Sequence, residues 1–379
     1  MKALRLKKKV ILWVPLALLL IYFSWLAYLL FSFKTYPGPK GPFPLEIEGV
    51  YHIHSKFSDG WGSVDTIAQA ASRNSLDFVI VTDHGSPNFR SLAAQGWKGK
   101  TLILAGSELS VSRGHLVALD FPRPSQSFSQ NTEDAVHEIS ELGGFTVIAH
   151  PYAKTKWSWG ESVEYSGLEI INGDAMLRSN LPHALPYFPA LLLKPRFVLL
   201  KMLSDPSPFL KRWDERNTHA PLYGYFSLDA HVFYRPTFSL LHLHLLLQQP
   251  LSSDFETAKN QVFAALRKGK FYNAVDAAAQ AKGFRFTAKK GEKVLSMGET
   301  LILDSPLVLE VKAPYSFRTE MRLLRDGKPV LSSPEKRLSY KAGLPGIYRV
   351  EVYLKENSPL DNKIPWIVSN PIFLRKENN

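Results

Sequence analysis

What most constrains this chain is a series of histidines and carboxylates that stand where apolar runs stop: His52-x-His54, Asp59, His84, Glu108, His115, His150 and Asp229-x-His231. In Gly49-Val50-Tyr51-His52-Ile53-His54 the two histidines are two apart in a β-type run, so the period-2 pleat points both imidazoles to one face. Val79 to His84, Thr101 to Glu108 and Phe145 to His150 are short apolar runs that close on a ligand-type side chain. Tyr223 to His231 repeats the pattern, with Asp229 and His231 sharing a face. Buried parallel strands read this way, and their C-terminal ends are where barrel active sites gather. Strand ends far apart in sequence therefore aim nitrogen and oxygen donors at one place.

The segments between these runs have helical spacing. Ser63 is a candidate N-cap for a run with Val64, Ile67, Ala68, Ala71 and Leu76 on one side. Asn131-Thr132-Glu133-Asp134 opens a second helix with Ala135, Val136, Ile139 and Leu142 apolar, and Gly143-Gly144 stops it. Phe255 to Leu266 reads as a closing helix with Gly269 just past its end. Strand alternating with helix is the α/β pattern. His242-Leu243-His244 sits in the apolar run Leu240 to Leu247 with no carboxylate nearby, and is expected to be a packing or surface pair. His137, His183 and His219 also lie outside the framework.

A site of imidazole and carboxylate with no thiolate, since the chain has no cysteine, suits Zn²⁺, Mn²⁺ or Fe²⁺ and argues against a closed structural zinc. Two ions about 3.5 to 4 Å apart can share a hydroxide and clamp the attacked and leaving oxygens, which gives hydrolysis without a protein nucleophile. A phosphoryl group also favours a cation that forks onto its oxygens. Arg113 and Arg178 are the substrate-binding candidates, with Lys56, Lys154 and Lys156 in loops after ligand-bearing strands.

His52-Ile53-His54 with Ser58-Asp59-Gly60, Thr82-Asp83-His84, Gly106-Ser107-Glu108, Gly114-His115, His150-Pro151, Glu169-Ile170-Ile171-Asn172-Gly173 and Asp229-Ala230-His231 resemble the motifs of the polymerase and histidinol phosphatase (PHP) superfamily over roughly residues 47 to 275. The resemblance implies a distorted (β/α)7 TIM-like barrel with two or three divalent ions at its C-terminal mouth and hydrolysis of phosphate esters. It implies one ion on His52, His54, Glu108 and Asp229, and a second on Glu108, His115 and His150 with Glu108 bridging. Asp59, His84 and His231 would hold a third. Glu108 and Asp229 are then the catalytic pair. Leu228 replaces the serine usual before the last Asp-x-His, which bears on a supporting hydrogen bond and not on a ligand.

Outside this region the grammar differs. Lys2, Arg5, Lys7, Lys8 and Lys9 precede an uncharged run from Val10 to Phe33, about 36 Å as a helix and enough to span a bilayer core. Phe33-Lys34-Thr35-Tyr36-Pro37 has no small-residue cleavage site, which favours an uncleaved anchor over a signal peptide. The basic cluster belongs on the cytoplasmic side, placing the rest outside a cell (inner) membrane, periplasmic or extracellular. The net charge of +12 suits an anionic surface or phosphate-bearing substrates, while no basic stripe with interleaved aromatics suggests nucleic acid.

The expected organisation is an anchor (1–36), a Pro/Gly linker (37–46), the barrel (47–280) with an apolar insertion (176–220), and a C-terminal β-sandwich (283–379). Short alternating runs punctuated by Asp326-Gly327 and Pro345-Gly346 suggest the sandwich. Pro365-Trp366 with Ser369-Asn370-Pro371-Ile372 resembles the tail of the carbaryl-hydrolase-like branch of the superfamily. The insertion is expected either to lie on the membrane or lid the site, or to pack as a plain loop. The expected function is membrane-anchored, metal-dependent phosphoester hydrolysis on a small-molecule or lipid- or glycan-linked substrate. Carbamate or carboxylic ester hydrolysis, or binding of a phosphorylated glycan or lipid without turnover, are the alternatives.

Overall fold

The structure is a computed structural model that describes residues 2–36, 38–39, 41–152, 156–159, 165–218, 220–314, 319–355 and 360–376. Pro37, Lys154 and His219 lie outside the described residues, as do the side chains of residues 2–12. The chain opens with α1 (Lys2–Ser32), then β1 (Glu46–Ile53), α2 (Val64–Arg73), β2 (Phe78–Val81), α3 (Phe89–Ala93), β3 (Gly96–Lys98), β4 (Thr101–Ala105), β5 (Ser107–Val111) and β6 (Gly114–Leu119). It continues through α4 (Thr132–Glu141), β7 (Phe145–Ile148), β8 (Gly167–Asn172), α5 (Gly173–Ala184), a 3-10 stretch (Leu185–Leu192), α6 (Pro195–Met202), α7 (Ser207–Asn217) and β9 (Tyr223–Ser227). The short α8 (Tyr234–Thr237), β10 (His242–Leu246), α9 (Phe255–Arg267) and β11 (Phe271–Ala274) follow.

Local chemistry sets the helix starts. Ser63 Oγ accepts the Thr66 N–H at 3.2 Å, Asn131 Oδ1 that of Asp134 at 3.1 Å, and Asp254 Oδ1 that of Thr257 at 2.9 Å. Each side chain satisfies a donor that the first helical turn leaves unpaired.

β1, β2 and β4 are parallel neighbours, and β7, β8 and β9 are too, while β6 runs antiparallel to both β5 and β7. Two parallel bridges, His84↔Glu108 and Ile53↔Ala230, join these two sheets end to end. The strands thus run in a ring from β1 through β2, β4, β5 and on to β9, which returns to β1 through the His54 N–H to Ala230 O bond at 3.0 Å. Both joints lie at the strand ends that carry the predicted donors.

The C-terminal strands are β12 (Arg285–Lys290), β13 (Lys293–Ser296), β14 (Thr300–Ile302), β15 (Leu307–Lys312), β16 (Thr319–Arg325), β17 (Lys328–Ser333), β18 (Arg337–Ala342), β19 (Gly346–Leu354), β20 (Ile367–Ser369) and β21 (Ile372–Arg375). One four-stranded sheet has the order β13-β12-β15-β18. The remaining strands extend the ring's own sheet, because β20 pairs with both β11 and β19. Hydrogen bonding therefore crosses the boundary expected near residue 283.

The structure corrects the reading of His242 and His244. Their carboxylates come from distant segments: His242 Nδ1 lies 2.5 Å from Glu48 and 3.4 Å from Asp276, and His244 Nε2 lies 2.9 Å from Asp276. Strand pairing puts Glu48 opposite His244, and β11 leads directly to Asp276. His242 Nε2 also faces Phe238 O at 2.6 Å, so both of its nitrogens meet acceptors and the ring is an imidazolium. Arg285 and Tyr272 complete the group on Glu46, each at 2.5 Å. Glu46, Glu48 and Asp276 are thus buried together with both histidines, with the part-exposed Arg285 at the edge of the group.

The insertion forms α6 and α7, the end of α5 and the 3-10 stretch, and it packs on α1. Tyr22 Oη donates to Pro186 O at 2.7 Å, and ring pairs form between Trp25 and Tyr187 and between Phe33 and Phe197. Residues Trp13–Ser32 are long and apolar enough to cross a membrane.

Candidate metal centre

All nine predicted donors converge at the two joints of the ring. Glu108 is the hub. Its Oε2 lies 3.2 Å from His52 Nε2 and 3.1 Å from His54 Nε2, and Asp229 Oδ1 lies 3.6 and 3.3 Å from the same two nitrogens. Its other oxygen, Oε1, lies 2.8 Å from both His115 Nδ1 and His150 Nε2, which are 3.3 Å apart. At the exposed rim, Asp59 Oδ2 lies 3.2 Å from His231 Nε2 and 3.7 Å from His84 Nε2. A tetrahedral ion with bonds of about 2.1 Å needs donors about 3.4 Å apart, so the donor sets fit divalent ions in number, type and spacing.

In three of the rings a contact to the second nitrogen decides which nitrogen is offered. His52 Nδ1 is held by Glu169 at 2.5 Å, His54 Nδ1 by Asp59 Oδ1 at 3.3 Å, and His231 Nδ1 by the Asp229 carbonyl at 2.9 Å. Each contact leaves Nε2 facing the cluster, as supporting partners of metal-bound histidines do. Glu169 was quoted within a motif but given no role by sequence reasoning. It is fully buried, and its Oε2 also accepts the His150 N–H at 2.8 Å and Asn172 Nδ2 at 2.9 Å. A carboxylate inside an apolar strand was the available signal. Asp83 is a second such residue, accepting from the Ser55, Ser58 and Ser91 hydroxyls, and so holding the loop under His54.

The backbone bends to deliver these side chains. His52, His150 and Asp229 have φ of 65°, 26° and 53°, left-handed values that cost non-glycine residues energy and cluster at functional sites. Gly60 lies so close beneath the site that a Cβ there would be 2.2 Å from His54 O.

Burial disfavours charge on His52 and His54, but Glu169 and Asp229 beside His52, and Asp229 and Asp59 beside His54, outweigh it and raise both imidazoles well above their ordinary value. Burial likewise opposes ionisation of Glu108, and His52, His115 and His150 overcome it. Divalent ions entering here displace protons.

The two arginines differ. Arg178 is 72% exposed, pairs with Asp174 and lines a cavity of about 1080 Å³ that also touches Asp59, Asp229 and His231. Arg113 is tied to Glu133 beside the start of α4 and is not among the residues brought together at the cluster. Lys56 is exposed. His137 pairs with Glu141 at 3.2 Å on the outer face of α4, and His183 lies exposed on α5, both away from the cluster.

No family profile matches the chain. An uncharacterised protein of Methanocaldococcus jannaschii is 23% identical over 146 residues, covering 32% of this chain and 79% of that protein. Among solved structures, the chain is similar to a two-domain protein of Bacteroides vulgatus containing a predicted PHP-like metal-dependent phosphoesterase. The TM-score is 0.44 at 14% identity, covering 89% of this chain and 99% of that one. It is also similar to an amidohydrolase of Chromobacterium violaceum, with a TM-score of 0.31 at 17% identity over 48% of this chain and 87% of that one.

Proposed function

We propose that this chain is a PHP-type metal-dependent hydrolase that cleaves phosphate esters and is held at a membrane by α1. The observation that carries the reading is the divided use of Glu108, whose two oxygens face separate donor sets. That is the arrangement a carboxylate needs to bridge two ions. In this reading His52, His54, Glu108 and Asp229 hold one ion, Glu108, His115 and His150 a second, and Asp59, His84 and His231 a third, each Zn²⁺, Mn²⁺ or Fe²⁺. Bound there, such ions supply Lewis acidity and water activation at neutral pH.

The chain's own residues orient and exclude. Asn172 Nδ2 lies 3.3 Å from Asp229 Oδ2 and also holds Glu169, which fixes the Asp229 carboxylate relative to His52. Arg178 stands at the cavity wall as the cation for a phosphoryl oxygen. The ring of strands is read as the distorted PHP barrel, the C-terminal strands as a positioning β-sandwich, and the barrel as facing outward from the cell membrane with the N-terminus in the cytoplasm.

Hydrolysis of p-nitrophenyl phosphate, bis-p-nitrophenyl phosphate and a p-nitrophenyl carbamate with added Mn²⁺ or Zn²⁺ tests the reading. Turnover of a phosphate ester is expected, and Glu108→Ala is expected to remove two ions together and abolish it. Turnover of the carbamate alone moves the activity to carbamate ester hydrolysis on the same residues. Activity retained by Glu108→Ala refutes the bridge.

A further inference from the structure

The cavity beside the cluster is built unlike a site for a soluble phosphate ester. It has about 1080 Å³ of space, above the common range of about 300–1,000 Å³ for small-molecule pockets. Asp59, Asp229 and His231 line it, and Leu181, Phe188, Leu191 and Met202 are among the apolar side chains of its wall. Those wall residues belong to the insertion that grips α1.

The contacts with α1 fix the depth of that wall. Tyr22, which bonds Pro186, lies ten residues inside the helix end at Ser32, about 15 Å along the axis. With Trp13–Ser32 in a bilayer whose core is about 30 Å thick, Tyr22 stands near its middle. The stretch Leu185–Leu193 carries no charge, and Leu192 and Leu193 are 93% and 76% exposed. Cations begin directly after it. Lys194 Nζ bonds Leu30 O and stacks over Phe33 at the outer end of α1, and Arg196 follows at the cavity. An apolar tip beside mid-bilayer and a cationic collar at the helix end match the core and headgroup levels of one leaflet.

We infer that the insertion is embedded in the outer leaflet and that the cavity receives the hydrocarbon chain of a phosphate-ester lipid directly from the bilayer. The phosphate is then presented to the Asp59 and His231 edge of the cluster. Water adds across the P–O bond, and the lipid alcohol and inorganic phosphate are released. This rests on the hydrolase reading for its chemistry, but the chain-binding half can be measured without turnover.

The test uses the full chain, loaded with Mn²⁺ in detergent, on alkyl phosphates from butyl to dodecyl. Each buried methylene adds to binding, so KM is expected to fall at least about tenfold along the series with kcat changed little. Leu181→Arg and Leu191→Arg, both at partly exposed positions and checked for metal content, are expected to flatten it. Native mass spectrometry of the same proteins stripped of metal, with dioleoyl phosphatidate, reads occupancy separately from turnover, with one lipid retained by the wild type and lost by the variants. Short esters cleaved as well as long ones, with no lipid retained, overturns the inference and leaves the hydrolase. Retained lipid with no ester cleaved supports the cavity's role and refutes the hydrolase.

Discussion

At the residue scale, the account turns on how imidazole nitrogens are chosen. Glu169 holds His52 Nδ1 and the His150 N–H at once, so it orients donors of two separate sets. Glu169→Gln keeps the shape but cannot accept from both as an anion. Supporting partners of this kind are worth about 10–100-fold in metal affinity or activity, and chelator competition is expected to show a loss in that range, with the fold retained by circular dichroism. The donors themselves were legible, since each ends an apolar run. Their supports were less so, because Glu169 and Asp83 acquire meaning only when folding brings Asn172, His150 and three serines to them. Arg113 shows the converse: two residues from His115, it is claimed by Glu133 twenty positions on.

At the element scale, β1 carries two different chemistries. Its C-terminal end reaches the cluster through His52 and leads on to His54. Its N-terminal half supplies Glu46 and Glu48 to the network with His242, His244 and Asp276. Burial would depress both imidazoles, but Glu48 and Asp276 outweigh it and push each up to about 10. Burial would raise Glu46, but His244 and Arg285 bring it down to about 2. The histidine contribution is therefore complete below about pH 6.5 and lost as pH rises through about 10. The Glu46 contribution is complete above about 4.5 and lost as pH falls through about 2. His244→Gln is expected to cost about 3–5 kcal/mol, as breaking a buried pair does. The gap in melting temperature from wild type should be widest between pH 5 and 6.5 and narrow towards pH 10. A gap independent of pH over that range would show that the ring is neutral in the folded chain. Sequence separation hid this network, since the histidines lie almost two hundred residues from Glu48.

At the scale of the whole molecule, β1, β2, β4, β7 and β9 of the ring and helices α2, α4 and α9 were legible from periodicity and caps, and so were the alternating runs that become β12, β14, β15, β16, β19 and β21. Their union was not. β11 hydrogen-bonds β20, and Arg349 in β19 makes a buried ion pair with Asp214 of α7 at 2.6 Å. Partners this far apart leave no local signal. A chain ending at residue 280 leaves β11 an open edge and Asp214 without its cation. It is expected to be degraded by limited proteolysis under conditions where the full chain resists, and equal resistance would make the C-terminal strands a separable unit.

The most direct test of the central claim is elemental analysis of the purified full chain after equilibration with Mn²⁺, Zn²⁺ or Fe²⁺ and removal of free ion. Two to three ions per folded chain are expected, with at most one retained by Glu108→Ala. A folded chain that holds no ion would contradict the account, because nine converging donors would then have no ligand to explain them.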